Sequence, residues 1–532
     1  MGRYGNVLSL FSLNTIYINT MLVKTYGSAL YGVDAQTITI EVNISKGVGY
    51  NLVGLPDNAV KESSHRINAA FETNGFRWPG KKITVNMAPA DMRKEGAAFD
   101  LPLSIAILAA SGQLPDDRLD KLLIMGELSL DGTLKGIRGA LPIAVQAQKE
   151  GFSGIILPRE NAMEAAVVTG IDVYGMSTLE EVVSFLRGTY DPDPDVVDID
   201  AIFESNEVNS HLDFADVKGQ ENIKRALEVA AAGGHNIIMV GPPGAGKTML
   251  AKRISSILPP LTLEEALETT KIHSVAGRID AHQGLMTVRP FRSPHHTISN
   301  VAMVGGGQFP QPGEISLAHN GVLFLDELPE FQKTVLEVLR QPLEDREVSI
   351  SRAKQSVCYP ASFMLIASMN PSPSGGFADP ANAFSSSTAE IHRYLSKISG
   401  PLLDRIDIHI EVSPVNFDQL SEERRGEPSR EVRKRVVAAR KIQQKRFEGM
   451  PHINYNAQMD TRAMDEFCTL DDASRNLIKV AMERLGLSAR AYDRILKVAR
   501  TIADLSSSEK ILPSHIAEAI SYRSLDREGF LK

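Results

Sequence analysis

The amino-acid sequence predicts an α/β protein of several domains. The chain has 532 residues, which is more than one hydrophobic core usually organises. Short apolar runs alternate with helix-compatible stretches as far as about residue 412, the pattern of βα units around a parallel sheet. Beyond that point the pattern is almost purely helical, so a helical domain is expected to follow the sheet.

Composition restricts the class of protein. Hydrophobic residues make up 43% of the chain and charged residues 23%, as in ordinary globular proteins. The 57 basic and 65 acidic residues give a net charge of −8, so any contact with nucleic acid must be local. Two cysteines cannot form a disulfide framework, which favours a reducing, cytoplasmic compartment. No apolar run approaches the length of a membrane span, so no membrane partner is expected.

Four regions differ in composition. Residues 21–188 alternate strand-like and helical runs, and residues 189–212 are acidic, contain Pro192 and Pro194, and are expected to be a linker. An α/β pattern covers residues 213–412, and a helical domain is expected over residues 413–532. Residues 1–20 are interpreted as a loose extension before the folded part, or as the result of a misplaced start.

A glycine-rich loop between a buried strand and a helix is the strongest single motif. The apolar run Asn236–Val240 precedes it, and a helix-compatible stretch follows it. Such a loop cradles phosphate oxygens with its backbone N–H groups, while its Lys reaches the β- and γ-phosphates and its Thr ligates Mg²⁺. The motif predicts an ATP site formed by Gly241, Pro242, Pro243, Gly244, Ala245, Gly246, Lys247 and Thr248.

A second motif places two acids at the end of an apolar run. Gly321–Leu325 reads as a buried parallel strand, and Asp326 and Glu327 follow it directly. Ligands bind at the carboxyl edge of such sheets. We therefore expect Asp326 to hold Mg²⁺ and Glu327 to polarise the attacking water. Taken alone, the same pattern would fit a strand end with two solvated acids.

Three further polar residues are candidates for the same site. Asn370 ends the apolar run Phe363–Met369 and could orient the water, or simply begin a turn before Pro371. Arg405 lies between two acids and could be catalytic or a structural ion-pair partner. Arg490 lies in Ser488-Ala-Arg490, which is expected to begin a helix.

In this order, the motifs resemble those of AAA+ ATPases of the magnesium-chelatase and MCM-like branch. Asp213–Gln220, which includes Val217 and Gly219, is similar to the segment that surrounds adenine there. The run Ser293-Pro-His-His-Thr-Ile-Ser299 resembles a signature of the YifB/ComM family. The resemblance implies a homo-oligomeric ring, in this family commonly a hexamer, that uses ATP and Mg²⁺. It also implies that Asn370 is sensor 1, Arg405 an arginine finger for the neighbouring subunit, and Arg490 sensor 2.

The N-terminal region resembles the proteolytic domain of Lon, a ribosomal S5 domain 2-like α+β fold. The resemblance rests on Glu95–Leu103, Gly126–Gly132 and Ile156–Asn161. Lon-type proteases pair a Ser nucleophile with a Lys, and this chain has Ala98 and Leu141 at those places. No peptidase activity is therefore expected. Many relatives carry cysteines after the sensor Asn, where this chain has hydroxyl residues, so no zinc is expected either.

The resemblance implies a motor acting on single-stranded, forked or branched DNA, in recombination or natural transformation. Residues 347–355 lie between the two catalytic strands and are expected to form a hairpin with Arg352 and Lys354 near its tip, on DNA. The helix from Arg430 to Arg446 carries eight cations and could also contact DNA, or be a solvated lid surface.

Two other functions fit parts of the sequence. One is the magnesium-chelatase motor subunit, which the Lon-like region disfavours. Asp504-Leu-Ser-Ser-Ser508 matches a metal pattern of the chelatase partner subunit, but it follows a helix and is interpreted as coincidence. The other is an ATP-driven chaperone or protease, which the missing Ser and Lys disfavour.

Overall fold

The computed structural model describes residues 22–206, 212–280, 283–307, 310–352, 355–375, 387–414, 426–450 and 452–523. The chain forms two compact units. The first ends at Val197, and the second begins at Asp198 and also takes in the short segment Tyr31–Asp34. No helix among the described residues is both long and apolar enough to cross a membrane. Three parts of the sequence predictions lie outside these ranges: the expected extension over residues 1–20, Lys354, and most of the stretch considered for zinc.

The first unit is built on a seven-stranded sheet of order β3-β4-β2-β1-β5-β8-β9, and β6 and β7 form a separate small ladder. Its strands are β1 (Leu22–Tyr31), β2 (Asp34–Ser45), β3 (Gly49–Val53), β4 (Lys82–Ala88), β5 (Leu122–Ile124), β6 (Glu127–Leu128), β7 (Leu134–Lys135), β8 (Gly154–Pro158) and β9 (Asp172–Met176). Its helices are α1 (Asn58–Lys61), α2 (Ser63–Thr73), α3 (Asp100–Ala110), α4 (Ala140–Lys149), α5 (Arg159–Ala165) and α6 (Leu179–Leu186).

Both parallel and antiparallel pairs occur in this sheet. The pairs β1–β5, β5–β8, β8–β9 and β3–β4 are parallel, whereas β2–β4 is antiparallel. Helix α3 is buried along its whole length and has no polar stripe, as expected of a helix enclosed in a core. The mixture of strand directions with packed helices is an α+β arrangement.

The second unit contains a five-stranded sheet and most of the helices. Its strands are β10 (Ile237–Val240), β11 (Phe291–Arg292), β12 (Gly305–Gly306), β13 (Gln311–Pro312), β14 (Val322–Leu325), β15 (Glu347–Arg352), β16 (Gln355–Pro360), β17 (Met364–Met369) and β18 (Ile408–Glu411). The helices as far as the last strand are α7 (Ile199–Asn206), α8 (Glu221–Gly233), α9 (Lys247–Arg253), α10 (Leu263–Val275), α11 (Asn300–Val304), α12 (Glu314–Leu317), α13 (Lys333–Glu337), α14 (Arg340–Asp345), α15 (Thr388–Leu395) and α16 (Gly400–Leu403).

Among the described residues after the last strand there are five helices and no further strand. They are α17 (Ser429–Arg446), α18 (Thr461–Phe467), α19 (Asp472–Leu485), α20 (Ala489–Leu505) and α21 (Pro513–Ser521). Helix α20 presents an apolar face that packs with β10, β18 and α8 in one core cluster.

The central sheet has the order β11-β14-β17-β10-β18, and all its strand pairs are parallel. Strands β10, β14 and β17 are buried at every residue, which explains their uninterrupted apolar sequences. The register pairs Val240 with Met369 and Leu325 with Ala367. The residues that follow these three strands therefore meet at one edge of the sheet.

The region read as a linker contains a helix that sequence reasoning missed. Helix α7 lies within residues 189–212, although no apolar periodicity was recognised there. Ile199, Ile202 and Phe203 do recur at helical spacing, but the surrounding acids and prolines obscured that signal. By contrast, the expected hairpin is present, because β15 and β16 pair antiparallel with Arg352 opposite Gln355.

Candidate functional site

The glycine-rich loop runs from the end of β10 to the start of α9. Gly244 and Gly246 adopt φ angles of 77° and 88°, which side chains disfavour. A Cβ on Gly244 would meet no atom within 4 Å, so the loop is open there. A Cβ on Gly241 would lie 2.2 Å from the Val412 carbonyl oxygen, so only glycine fits against the end of β18.

Lys247 lies at the centre of this loop. Its Nζ donates to the carbonyl oxygens of Gly241 at 2.6 Å and Pro242 at 3.0 Å, and to Asn370 Oδ1 at 3.1 Å. Burial lowers the pKa of Lys247, against the opposing influence of Asp326 and Glu327. The ammonium group and the Asn370 amide therefore occupy the same small region, although they are 123 residues apart in the chain.

Asp326 joins the loop to the neighbouring strands. Its Oδ2 accepts a hydrogen bond from Thr248 Oγ1 at 2.7 Å, and its Oδ1 accepts one from Ser368 Oγ. Ser368 lies in β17, two residues before Asn370, and was not among the residues selected from the sequence. A lone hydroxyl in an otherwise apolar buried strand was the available signal.

Glu327 follows Asp326 in a left-handed conformation with φ of 54°. Its backbone N–H donates to Ser368 Oγ at 3.4 Å, and its carboxylate is about half exposed. His296 Nδ1 lies 3.9 Å from Glu327 Oε2, and the His296 ring stacks on His295 with ring centroids 4.0 Å apart. The His-His signature at residues 293–299 thus lies beside the second acid of the strand end, a placement that sequence reasoning did not anticipate.

The segment Asp213–Gln220 lies against the same loop. Val217 is buried, and Gly219 and Gln220 both have positive φ angles, of 63° and 58°. Gln220 Nε2 donates to the Ala245 carbonyl oxygen at 2.8 Å. The segment expected to surround adenine is therefore bound directly to the glycine-rich loop.

Arg405 is buried and paired within its own chain. Its Nη2 lies 2.6 Å from Glu344 Oε1, and its Nη1 donates to the Pro401 carbonyl oxygen at 2.6 Å. The Arg405 guanidinium holds the pKa of Glu344 below its ordinary value. This geometry matches the structural alternative that the sequence left open for Arg405.

Two ion pairs connect α20 to the segment that contains Arg405. Arg490, which is largely exposed, lies 3.5 Å from Asp404 Oδ2, and Arg494 lies 2.9 Å from Asp407 Oδ1. Burial opposes ionisation of Asp407, but Arg494 and His235 outweigh it and lower the pKa of Asp407. Arg490 is not placed in contact with Lys247 or Asp326, so the structure brings only part of the predicted set together.

The basic helix predicted from the sequence is α17, and several of its cations make contacts within the chain. Arg435 pairs with Glu228 at 2.5 Å, Arg446 pairs with Asp504 at 2.5 Å, and the Arg440 guanidinium lies 4.2 Å from the centre of the Tyr455 ring. Because these three cations are already engaged within the chain, α17 is a weaker DNA surface than its sequence indicates. Asp504 is fully buried by its arginine partners, so it belongs to the packing of α20 and not to an exposed metal pattern. The side chains of Arg352 and Lys354 lie outside the described residues.

In the first unit, the two positions compared with the Lon dyad carry no reactive group. Ala98 lies in a short 3₁₀ segment and packs against the core, and Leu141 is fully buried in α4. Neither side chain can act as nucleophile or base.

The residues at the sheet edge fit a magnesium nucleotide. Thr248 and Asp326 present hard oxygen donors 2.7 Å apart, the ligand type that Mg²⁺ takes beside phosphate oxygens. Among the described residues no group of three or more His, Cys, Asp or Glu could hold a metal, so the remaining ligands would be phosphate and water. The open glycine loop with Lys247 provides the complementary cradle for phosphate.

Known protein families match most of the chain. A family described as magnesium chelatase, subunit ChlI, matches residues 213–420. A second family, subunit ChlI of Mg-chelatase, matches residues 40–161, and the ChlI C-terminal family matches residues 426–523. Together these matches extend over both compact units.

Individual proteins are also similar to this chain over nearly its whole length. The competence protein ComM of Haemophilus influenzae is 45% identical over 511 residues, covering 95% of this chain and 98% of ComM. The YifB protein of Escherichia coli is 45% identical over 504 residues, covering 94% and 96%. Lon protease 2 of Bacillus subtilis is similar over a shorter stretch, 33% identical over 157 residues, which is 27% of each chain. The Holliday junction branch migration complex subunit RuvB of Thermotoga petrophila is 26% identical over 296 residues, covering 54% of this chain and 73% of RuvB. The chain therefore belongs to the YifB/ComM family of magnesium-chelatase-like AAA+ proteins.

Proposed function

We propose that this protein is an ATP-hydrolysing AAA+ motor that assembles as a ring, in the cytoplasm, and acts on DNA. The observation that carries the ATPase part is the meeting of Lys247, Thr248, Asp326 and Asn370 at one edge of three adjacent parallel strands. Ligands bind at this edge in parallel sheets.

Each residue at this edge has a task in the proposed reaction. Gly241–Thr248 bind the phosphates of ATP through backbone N–H groups, and Lys247 leaves its carbonyl partners to contact the β- and γ-phosphates. Mg²⁺, held through Thr248 and Asp326, would neutralise charge on the phosphates. Glu327 activates the attacking water, and Asn370 orients it. Val217 and Gly219 lie beside the adenine.

Arg405 and Arg490 act on ATP from positions away from this edge of the sheet. In the proposed ring, Arg405 contacts the ATP of the neighbouring subunit, and Arg490 contacts the nucleotide of its own subunit. Asp404 and Asp407 connect the two arginines through the ion pairs with Arg490 and Arg494. Movement of α20 on hydrolysis would therefore displace the segment that carries Arg405. That displacement would couple one ATP site to the next around the ring.

The DNA part of the proposal rests on two supports. ComM is named as a competence protein and RuvB as a branch-migration subunit, and both are similar to this chain. The β15–β16 hairpin lies between β14 and β17 in the chain, so movement at either strand end would shift its tip. Arg352 and Lys354 near that tip are proposed to contact phosphates.

A second candidate function follows from the family descriptions, all three of which refer to a magnesium-chelatase subunit. In that case ATP hydrolysis would support insertion of Mg²⁺ into a porphyrin. An ATP-driven chaperone or protease has less support, because Ala98 and Leu141 replace the Lon dyad.

One ATPase experiment separates these functions. Steady-state hydrolysis would be measured alone, with single-stranded, forked and four-way DNA, with a porphyrin and chelatase partner subunits, and with an unfolded protein. The Lys247→Ala variant controls for contaminating ATPases. We expect stimulation by DNA only. Stimulation by porphyrin partners or unfolded protein without any by DNA would replace the proposal with the corresponding alternative.

A further inference from the structure

In the first unit, one face of the sheet formed by β2, β3 and β4 is accessible to solvent. On β2 and β4 buried residues alternate with accessible ones, and on β3 half-buried residues alternate with exposed ones, which is the period-two pattern of a half-buried sheet. Ile40, Val42, Ile83, Val85 and Met87 form the inner face and are fully buried. The opposite side of the same strands belongs to no core cluster of the described residues.

The accessible residues stand opposite one another across the strands. The antiparallel register pairs Glu41 with Asn86, Asn43 with Thr84 and Ser45 with Lys82. The parallel register pairs Lys82 with Gly49, Thr84 with Asn51 and Asn86 with Val53. We call these nine residues the open sheet face. Amides, hydroxyls and a lysine dominate it.

Three cations lie at one end of the open sheet face. Lys82 begins β4, and Lys81 directly precedes it. Lys46 starts the loop between β2 and β3, where Ser45 and Gly49 both pair with Lys82. All three cationic side chains are exposed, and within the described residues none of them makes an ion pair.

Negative charge is sparse in the strands and loops that form this face. Residues 42–56 and 79–90 contain three basic residues and no Asp or Glu, in a chain whose net charge is −8. Glu41 is the one acid of the open sheet face, and it is already bound, with Lys24 Nζ 3.2 Å away and Asn86 Nδ2 donating at 3.0 Å. The unpaired charges of these segments are therefore positive.

The backbone at this end of the sheet is open. A Cβ added to Gly49 or Gly80 would meet no atom within 4 Å. A sheet surface with small residues, amide and hydroxyl donors and unpaired cations matches the groups that proteins direct at phosphate and sugar oxygens.

We propose that the open sheet face and its three cations bind the sugar-phosphate backbone of DNA, as a contact surface on the first unit in addition to the β15–β16 hairpin. This inference rests on the proposed function, since it assumes that DNA is the substrate. Binding is independent of base sequence, because phosphate contacts carry no base information. An acidic protein segment is the competing occupant.

The test compares two double charge reversals in the full-length protein. Lys81→Glu/Lys82→Glu changes the surface, and Lys121→Glu/Lys149→Glu changes the charge by the same amount at two other exposed lysines of the first unit. Dissociation constants for single-stranded and four-way DNA are measured by fluorescence anisotropy over a range of salt. Melting temperature and DNA-free ATPase establish that both variants fold and assemble.

We expect the first variant to bind DNA at least about tenfold more weakly, with the slope of log affinity against log salt smaller by about two, while the control stays near the parent. Equal losses in both variants would assign the effect to net charge and overturn the inference. An unchanged affinity in the first variant would also overturn it, leaving the acidic protein segment as the occupant. Failure of the unaltered protein to bind any DNA would instead overturn the proposed function itself.

Discussion

Arg405 Nη2 lies 2.6 Å from Glu344 Oε1 of the same chain. A guanidinium held in this way cannot at the same time reach a phosphate on a neighbouring subunit. If Arg405 acts as an arginine finger, it must leave Glu344 when the ring assembles around nucleotide. Glu344 would then compete with the neighbour's ATP for Arg405 and would restrain hydrolysis.

The Glu344→Gln variant should therefore hydrolyse ATP faster. An ion pair with one exposed partner contributes up to about 1 kcal/mol, which corresponds to a rise in kcat of roughly two- to five-fold. The control is Glu431→Gln, which removes another surface ion pair, with Lys434 at 2.8 Å. A lower kcat at unchanged melting temperature would mean instead that Glu344 holds Arg405 in its working position.

Arg405→Ala should fold and assemble but lose hydrolysis by about 10³-fold or more, because an arginine finger stabilises charge in the transition state. Mixed rings of Arg405→Ala and Lys247→Ala subunits should regain part of the activity, at interfaces that combine an intact Arg405 with an intact Lys247. Co-assembly is checked by pull-down of one tagged variant. Absence of any rescue in co-assembled rings would leave Arg405 with a structural role only.

Glu327→Gln should bind ATP and retain it, because the loop, Thr248 and Asp326 are unchanged while water activation is lost. Removal of a general base typically costs about 10²- to 10⁴-fold in rate. Glu330→Gln is the matched control, since it alters a nearby exposed acid whose partner is Lys397. A parent-like rate in Glu327→Gln would show that another group activates the water.

Replacing both Arg352 and Lys354 by Ala should weaken DNA binding and reduce its salt slope by about two, with DNA-free ATPase nearly unchanged. Arg475→Ala/Lys479→Ala, on the exposed side of α19, provides the control. Loss of DNA-free ATPase with unchanged DNA affinity would assign the hairpin to subunit packing. The exposed cations of α17 would then be the better candidates in the second unit.

The sequence was sufficient to predict that Lys247, Asp326 and Asn370 meet at one edge of the sheet, because the prediction needs only local patterns. Asp326 and Asn370 directly follow buried strands, and Lys247 begins the helix after the glycine-rich loop that follows a third. Parallel strands bring their carboxyl ends together regardless of loop details. The β15–β16 hairpin is present as expected, and the described residues after β18 form helices and no strand.

What the sequence did not reveal depends on contacts between distant segments. Glu344, His296 and Ser368 approach Arg405, Glu327 and Asp326 through the packing of separate elements, and no local spacing encodes those pairs. The cations of α17 illustrate the same limit, since a charge run in sequence does not tell which members will pair with buried acids. Helix α7 was missed because prolines and acids outweighed a weak apolar periodicity.

The central claim is that ATP hydrolysis at this site moves DNA, and a strand-displacement assay tests it most directly. Forked and four-way junctions with one labelled strand would be incubated with the protein and ATP, with Lys247→Ala and Glu327→Gln as controls. We predict ATP-dependent release of the labelled strand by the unaltered protein and none by either variant. Vigorous ATP hydrolysis with no strand released from any of these substrates would contradict the account.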